Sequence, residues 1–205
     1  MNAKTVTAKR GPKPNTQTRD NLLQAGVKML HESGYSATAI QDIVSAAGVP
    51  KGSFYNHFAS KEVFGREVVD FYFSSRSADL KDVLTEPDVL PLQRMRNFFE
   101  QQIKNFNEIG FVRGCLMGNL SLEVADHSKI IRDNIAVNFM QWSKLFEDCI
   151  KEAQESAAVR SSIPAPNLAQ FILNSWEGAL LRMRVEKDDR PLRNFCDVVF
   201  GSLLV

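Results

Sequence analysis

One stretch, Thr38 to Phe58, constrains this 205-residue chain more than any other. Ile40, Ile43, Val44 and Ala47 recur at the i, i+3, i+4, i+7 spacing, which lays a narrow apolar stripe along a short helix that Thr38 is placed to cap. Gly48 can leave that helix with positive φ, and Pro50 has the fixed φ that suits the first turn of a new helix. Two short helices joined by a tight turn are predicted.

In the second helix Phe54 and Phe58 lie four apart and mark the inner side, so Gly52 and Asn56 point furthest outward. Ser53 and Tyr55 flank them, Lys51 and His57 lie nearer the edges, and Lys61 follows beyond the helix. Such a face offers hydrogen-bond donors without bulk, which is what a helix needs to enter the major groove and touch phosphates. A hairpin serving only as core has no use for it. Lys51 and Asn56 are therefore the candidates for base-edge contact, with Gln41 reaching from the first helix. Thr38, Ser53, Tyr55, His57 and Lys61 are the candidates for phosphate, and Gly52 lets the backbone come close.

Charge follows the same division. The whole chain carries only +1, but residues 1–61 hold eight Lys or Arg against Asp20, Glu32 and Asp42, while the remainder holds 17 against 21 acids. A basic head on a mildly acidic body is expected if only the head approaches a polyanion. Residues 1–17 include Lys4, Lys9, Arg10 and Lys13 among Gly11, Pro12 and Pro14 without apolar periodicity, which predicts a flexible arm. That arm is either a solvated tail or a phosphate or minor-groove contact. Leu22, Leu23, Ala25, Gly26, Met29 and Leu30 predict an amphipathic helix from Thr18 to about Gly34 that braces the pair.

Composition narrows the classes. An apolar content of 44% with 24% charge is that of a soluble globular chain. No apolar run reaches spanning length and the first residues lack a signal core, so the cytoplasm is expected and a membrane is not. Cys115, Cys149 and Cys196 are odd in number and widely spaced, which makes neither a disulfide framework nor a metal site. His31, His57 and His127 stand alone in sequence, and His31 and His127 read as capping or surface residues. With no phosphate loop, ligand cluster or hydrolase elbow, the chain is expected to have no catalytic residues, no cofactor and no metal, and not to be an enzyme.

Beyond Lys61 the pattern changes to long helices, over about 62–84, 91–109, 129–158, 167–185 and 191–204, with a short one within 113–124. The last two carry apolar stripes (Leu168, Phe171, Ile172, Gly178 and Ala179; Leu192, Phe195, Val199 and Leu203) that either finish the core or pack against a second copy. Phe73, Phe106, Phe111, Met117, Asn119, Phe139, Trp142, Trp176 and Met183 gather pliable apolar and aromatic side chains with a polar residue among them. Taken singly such residues are plain core; as a group they can line an effector cavity.

Gly34-Tyr35, Thr38, Ile43, Ala47-Gly48-Val49, the run Lys51 to Phe58 and Ser60-Lys61-Glu62 resemble the N-terminal DNA-binding signature of TetR-family transcriptional regulators, over about Thr18 to Phe64. The resemblance implies an all-α chain: a basic arm (1–17), a three-helix DNA-binding domain with a helix-turn-helix (18–61), and a helical effector-binding and dimerisation body (62–205). It implies a homodimeric repressor, paired through its last two helices, on a palindromic operator in double-stranded DNA. A small-molecule or thiol-reactive effector would tilt the connecting helix and spread the heads. A ligand carrier or thiol-reactive scavenger that has lost DNA binding is the alternative on the same fold.

Cys115 follows Gly114 at a predicted helix start, where unpaired N–H groups lower a thiol's pKa, and Arg113 is adjacent. The run Arg113-Gly114-Cys115-Leu116, with Leu120-Ser121 and Glu123-Val124, resembles repressors of the NemR type, which sense electrophiles and reactive chlorine through a cysteine and control detoxifying reductases. That resemblance makes Cys115 the candidate sensor and places Arg184 where the type carries a lysine; arginine can stabilise a thiolate but is poorly suited to forming a nitrogen–sulfur bond. The plainer reading of Cys115 is a small buried hydrophobe. Cys149 and Cys196, on apolar stripes, read the same way.

Overall fold

Helical periodicity runs through the chain, and the computed structural model, which describes residues 16–205, turns it into helices alone: α1 (Thr16–Ala37), α2 (Ile40–Ala46), α3 (Lys51–His57), α4 (Lys61–Leu84), α5 (Pro91–Glu108), α6 (Leu116–Val124), α7 (Lys129–Glu155), α8 (Ala165–Glu186) and α9 (Arg190–Val198), the last running into a wide turn at Val199–Leu203. Thr16 and Gln17, expected in the arm, already belong to α1; the rest of the arm lies outside the described residues. No helix among the described residues is long and apolar enough to cross a membrane.

Three rings hold the head together. Phe54, Phe58 and Phe64 are buried with centroids 4.9–5.4 Å apart, so α3 and the start of α4 share one small core with Leu22, Leu23, Ile43 and Val44. Gly48 turns the chain between α2 and α3 at φ 67°, as its sequence position predicts. The cap on α2 departs from expectation. Ala39 occupies the cap position, its N–H donating to the Asp42 carboxylate at 3.0 Å, while Thr38 lies buried and spends its hydroxyl on the Gly34 carbonyl at 2.6 Å.

Helix α4 carries the head into the body, starting from Ser60, whose hydroxyl accepts the Val63 N–H at 3.1 Å. The body core is built on Phe99 of α5, stacked on Phe146 of α7 at 5.4 Å and edged by Trp176 of α8 and Phe195 of α9, each at 4.9 Å. Burying a ring of this kind contributes about 1.5–3 kcal/mol before the rotamer freedom it loses is subtracted. Inside this body Arg94 is paired with Glu152 at 2.7 Å and also donates to the Leu84 carbonyl at 3.3 Å, which ties the end of α4 to α5 and α7.

Candidate nucleic-acid interface and effector cavity

Helix α3 buries only Phe54 and turns the rest of its seven residues outward or edgewise. Lys51, Gly52, Tyr55 and Asn56 are exposed, Ser53 and His57 are half-buried at the margins, and Gln41 is exposed on α2. A methyl built on Gly52 meets no atom of the chain within 4 Å. The face predicted from spacing is therefore open, with donors at its rim and a gap in its middle.

Two expected phosphate ligands stand differently. Thr38 is 1% exposed and its hydroxyl is committed to Gly34, because the carbonyl at the break in α1 needs a donor; it is removed from the contacting set. Lys61 is half-buried, its ammonium 4.5 Å from the Tyr35 ring centroid and 3.5 Å from the Ser36 carbonyl. Its charge is thus pre-positioned beside the head.

The second site is a cavity of about 420 Å³ enclosed by α1, α4, α5, α7, α8 and the loop ahead of α6. Of the residues expected there, Phe106, Cys115, Trp142 and Trp176 line it. Five do not. Met117 and Met183 are fully buried in the apolar core, because inward periodicity does not distinguish a packed side chain from one bordering a void. Phe111 is half-buried in a left-handed turn (φ 57°), packed on the core, and Asn119 accepts from Arg184 at 2.7 Å. Phe139 lies in a separate outer groove between α6, α7 and α8, with Leu122 and Met140. Phe73 is buried and packs edge-on against Trp142 at 6.0 Å.

The cavity also holds polar residues that periodicity did not single out: His31, Tyr72, Arg76 and Glu177. His31, read from sequence as a capping or surface residue, is a wall residue whose Nδ1 has no hydrogen-bond partner. Burial first, then the charges of Arg113, Arg76 and Arg184, push its pKa down to about 4, so the ring is neutral. The Trp142 indole nitrogen is likewise unpartnered. Glu177 sits between Trp176 and Gly178 on an otherwise apolar stripe, which was the one available signal for it. Burial pushes its carboxyl up to about 7, partly offset by the hydrogen bond it accepts from the Cys115 thiol.

Cys115 does sit at the start of α6, its sulfur accepting the Gly118 N–H at 3.5 Å, but the expected lowering of its pKa is reversed. Burial and the facing Glu177 carboxylate raise the thiol well above its usual range, and the Gly118 N–H recovers only part of that. The candidate cations are engaged elsewhere. Arg113 pairs with Glu32 at 3.3 Å and Arg184 with Asn119.

This geometry has known counterparts. Residues 22–68 match the family described as bacterial regulatory proteins, tetR family, and residues 91–199 match the tetracyclin repressor-like C-terminal domain. The HTH-type transcriptional repressor DhaR of Mycobacterium sp. (strain GP1) is 41% identical over 189 residues, 92% of this chain and 93% of the relative. The crystal structure of a regulatory protein TetR from Rhodobacter sphaeroides is 31% identical, covers 92% of this chain and 99% of its own, and superposes with a TM-score of 0.85. The reduced form of Escherichia coli NemR is 27% identical, covers 90% and 95% of the two chains, and also gives a TM-score of 0.85.

Proposed function

The chain belongs to the TetR family of bacterial transcriptional regulators, and from that premise we propose that this DNA-binding regulator is a repressor that leaves a palindromic operator when a small molecule enters the 420 Å³ cavity. Residues 18–61 act as the DNA-binding unit and residues 62–205 as the effector and dimerisation unit. Members of this family work as dimers. Here the face offered to a twin runs along α8 and α9, where Phe171, Leu181, Val185 and Val198 are exposed; large apolar side chains left in water on neighbouring helices favour an interface there.

The observation that carries the DNA reading is the open face of α3, with Gly52 and Asn56 both exposed and no atom of the chain within 4 Å of a β-carbon on Gly52. Lys51, Asn56 and Gln41 read base edges; Ser53, Tyr55, His57 and Lys61 hold phosphates. Mobility shifts on DNA from upstream of the protein's own coding region test this. Asn56→Ala relaxes preference at particular base pairs at a cost of about 1–3 kcal/mol, whereas Lys61→Ala weakens all sequences alike and lowers the salt slope by about 1. Equal loss on every sequence for both variants contradicts the division of labour.

The cavity's aromatic walls, with the unpartnered His31 and Trp142 nitrogens among them, suit a partly apolar ligand that carries polar groups. The place of Cys115 in the wall favours a second reading, in which the effector is an electrophile that alkylates the thiol. Intact-mass measurement after treatment with N-ethylmaleimide, alongside operator release, separates the two. If Cys115→Ser releases DNA like the parent, thiol sensing at that residue is wrong.

A further inference from the structure

One carboxylate of the body reaches into the head. Gly34 interrupts α1 at φ 79°, ψ 174°, a conformation open only to glycine, and the amides just after it lose the carbonyls they would meet in a continuous helix. Glu123, at the far end of α6, supplies both acceptors: Tyr35 N–H donates to Oε2 at 2.8 Å and Ser36 N–H to Oε1 at 2.6 Å. A β-carbon at position 34 would lie 2.8 Å from the same Oε2, so the break and the carboxylate fit each other. The Gly34 carbonyl in turn takes the Thr38 hydroxyl, and α2 begins at Ile40. The segment that feeds α2, and through the Gly48 turn α3, is thereby pinned to α6.

Without this grip the head would hang chiefly on α4 and on α1 packing, plus side-chain links such as Arg19 to Glu67 and Arg113 to Glu32. Those bonds involve long or single side-chain partners. The Glu123 pair is bidentate and ends on backbone, so it constrains orientation as well as distance. In a two-fold dimer any freedom in head orientation appears twice, as freedom in the separation of the two α3 helices.

We propose that Glu123 is a specificity-determining residue for the operator although it touches no DNA: by gripping the Tyr35 and Ser36 amides it sets which spacing between half-sites the dimer accepts. The proposal rests on the dimeric, two-half-site reading above.

Full-length protein is used to select sites from random duplex DNA. Affinities are then measured on the selected operator and on versions with one base pair added or removed at its centre. The parent loses about tenfold or more for each such change, in the range of a mismatched base pair. Glu123→Ala binds the selected operator about tenfold less tightly and discriminates among spacings by less than about threefold, with its base preference inside each half-site unchanged. Glu123→Gln falls between the two, because its amide oxygen can accept from only one of the two N–H groups.

A loss of affinity that is the same at every spacing means a merely structural role and overturns the proposal. If Glu123→Ala melts the head, Glu123→Gln carries the test, and a parent-like spacing preference in it overturns the proposal as well. Selection of lone half-sites by the parent removes the dimer reading and this proposal together. A fixed parental spacing that Glu123→Ala leaves intact removes this proposal alone.

Discussion

The α3 face and the body cavity solve opposite problems with polar side chains. On α3 the donors of Lys51, Tyr55 and Asn56 stay in water until a partner arrives, so holding them there costs the fold little. In the cavity His31, Cys115 and Glu177 are taken out of water before any ligand binds, and their protonation bends to burial: the imidazole is held neutral, the thiol protonated, the carboxyl pushed up to about 7. The difference teaches where substitutions are felt. Changes on α3 should move binding and spare stability, whereas changes in the cavity wall should move stability whatever they do to the ligand.

The strongest attack on that contrast is Trp176→Ala. Its ring lines the cavity but also packs on Phe99 at 4.9 Å and Phe195 at 5.1 Å, so truncation removes transfer energy and enlarges a void already present. A loss of about 3–5 kcal/mol in chemical unfolding is expected. A loss under about 1 kcal/mol would mean that the cavity wall tolerates collapse and that the contrast is wrong.

The next effect sharpens the comparison through pH. The unfolded chain protonates His31 near 6.5, but the folded chain resists until about 4, so this group's contribution falls as pH drops through that window. Glu177 acts in the other direction. The unfolded chain ionises it near 4.5 while the folded chain keeps its proton up to about 7, so its contribution falls as pH rises between those values. In the parent the two slopes oppose each other between about 4.5 and 6.5. His31→Gln should therefore lose stability as pH rises through that range and Glu177→Gln should gain it, each by about 2–3 kcal/mol across its window. Denaturant midpoints at a series of pH values check the signs; parallel pH profiles for both variants would contradict the assignment.

How much of this could be read in the sequence follows from how each site is assembled. The α3 face comes from consecutive residues, so the four-residue spacing of Phe54 and Phe58 was enough to aim Gly52 and Asn56 outward. Thr38 was misread because its partner is the Gly34 carbonyl at a break whose geometry depends on Glu123. At Cys115 the local pattern marks the right place, the cap of α6, but predicts the wrong sign, since burial in the body and the Glu177 carboxylate on α8 keep the thiol protonated. Among the inward aromatic and Met side chains, periodicity could not separate Trp142 and Trp176, which border the void, from Met117 and Met183, which fill the core. That separation is a property of five helices at once.

The smallest expected effect is the sharpest test of the contrast. Gly52 is exposed inside α3 and a β-carbon there meets nothing, so Gly52→Ala removes backbone freedom from the unfolded chain without creating a clash. Helix propensity then favours alanine by up to about 1 kcal/mol, and the thermal midpoint should rise by a few degrees. The same methyl occupies the gap through which the α3 backbone approaches the groove, so operator affinity should fall. Stability and binding then move in opposite directions from one added carbon, which an inward-facing glycine could not produce. A variant that melts earlier means that the face is packed in the free protein. A variant that is more stable and binds as tightly as the parent moves the point of closest approach away from Gly52, toward the exposed side chains of Lys51, Tyr55 and Asn56.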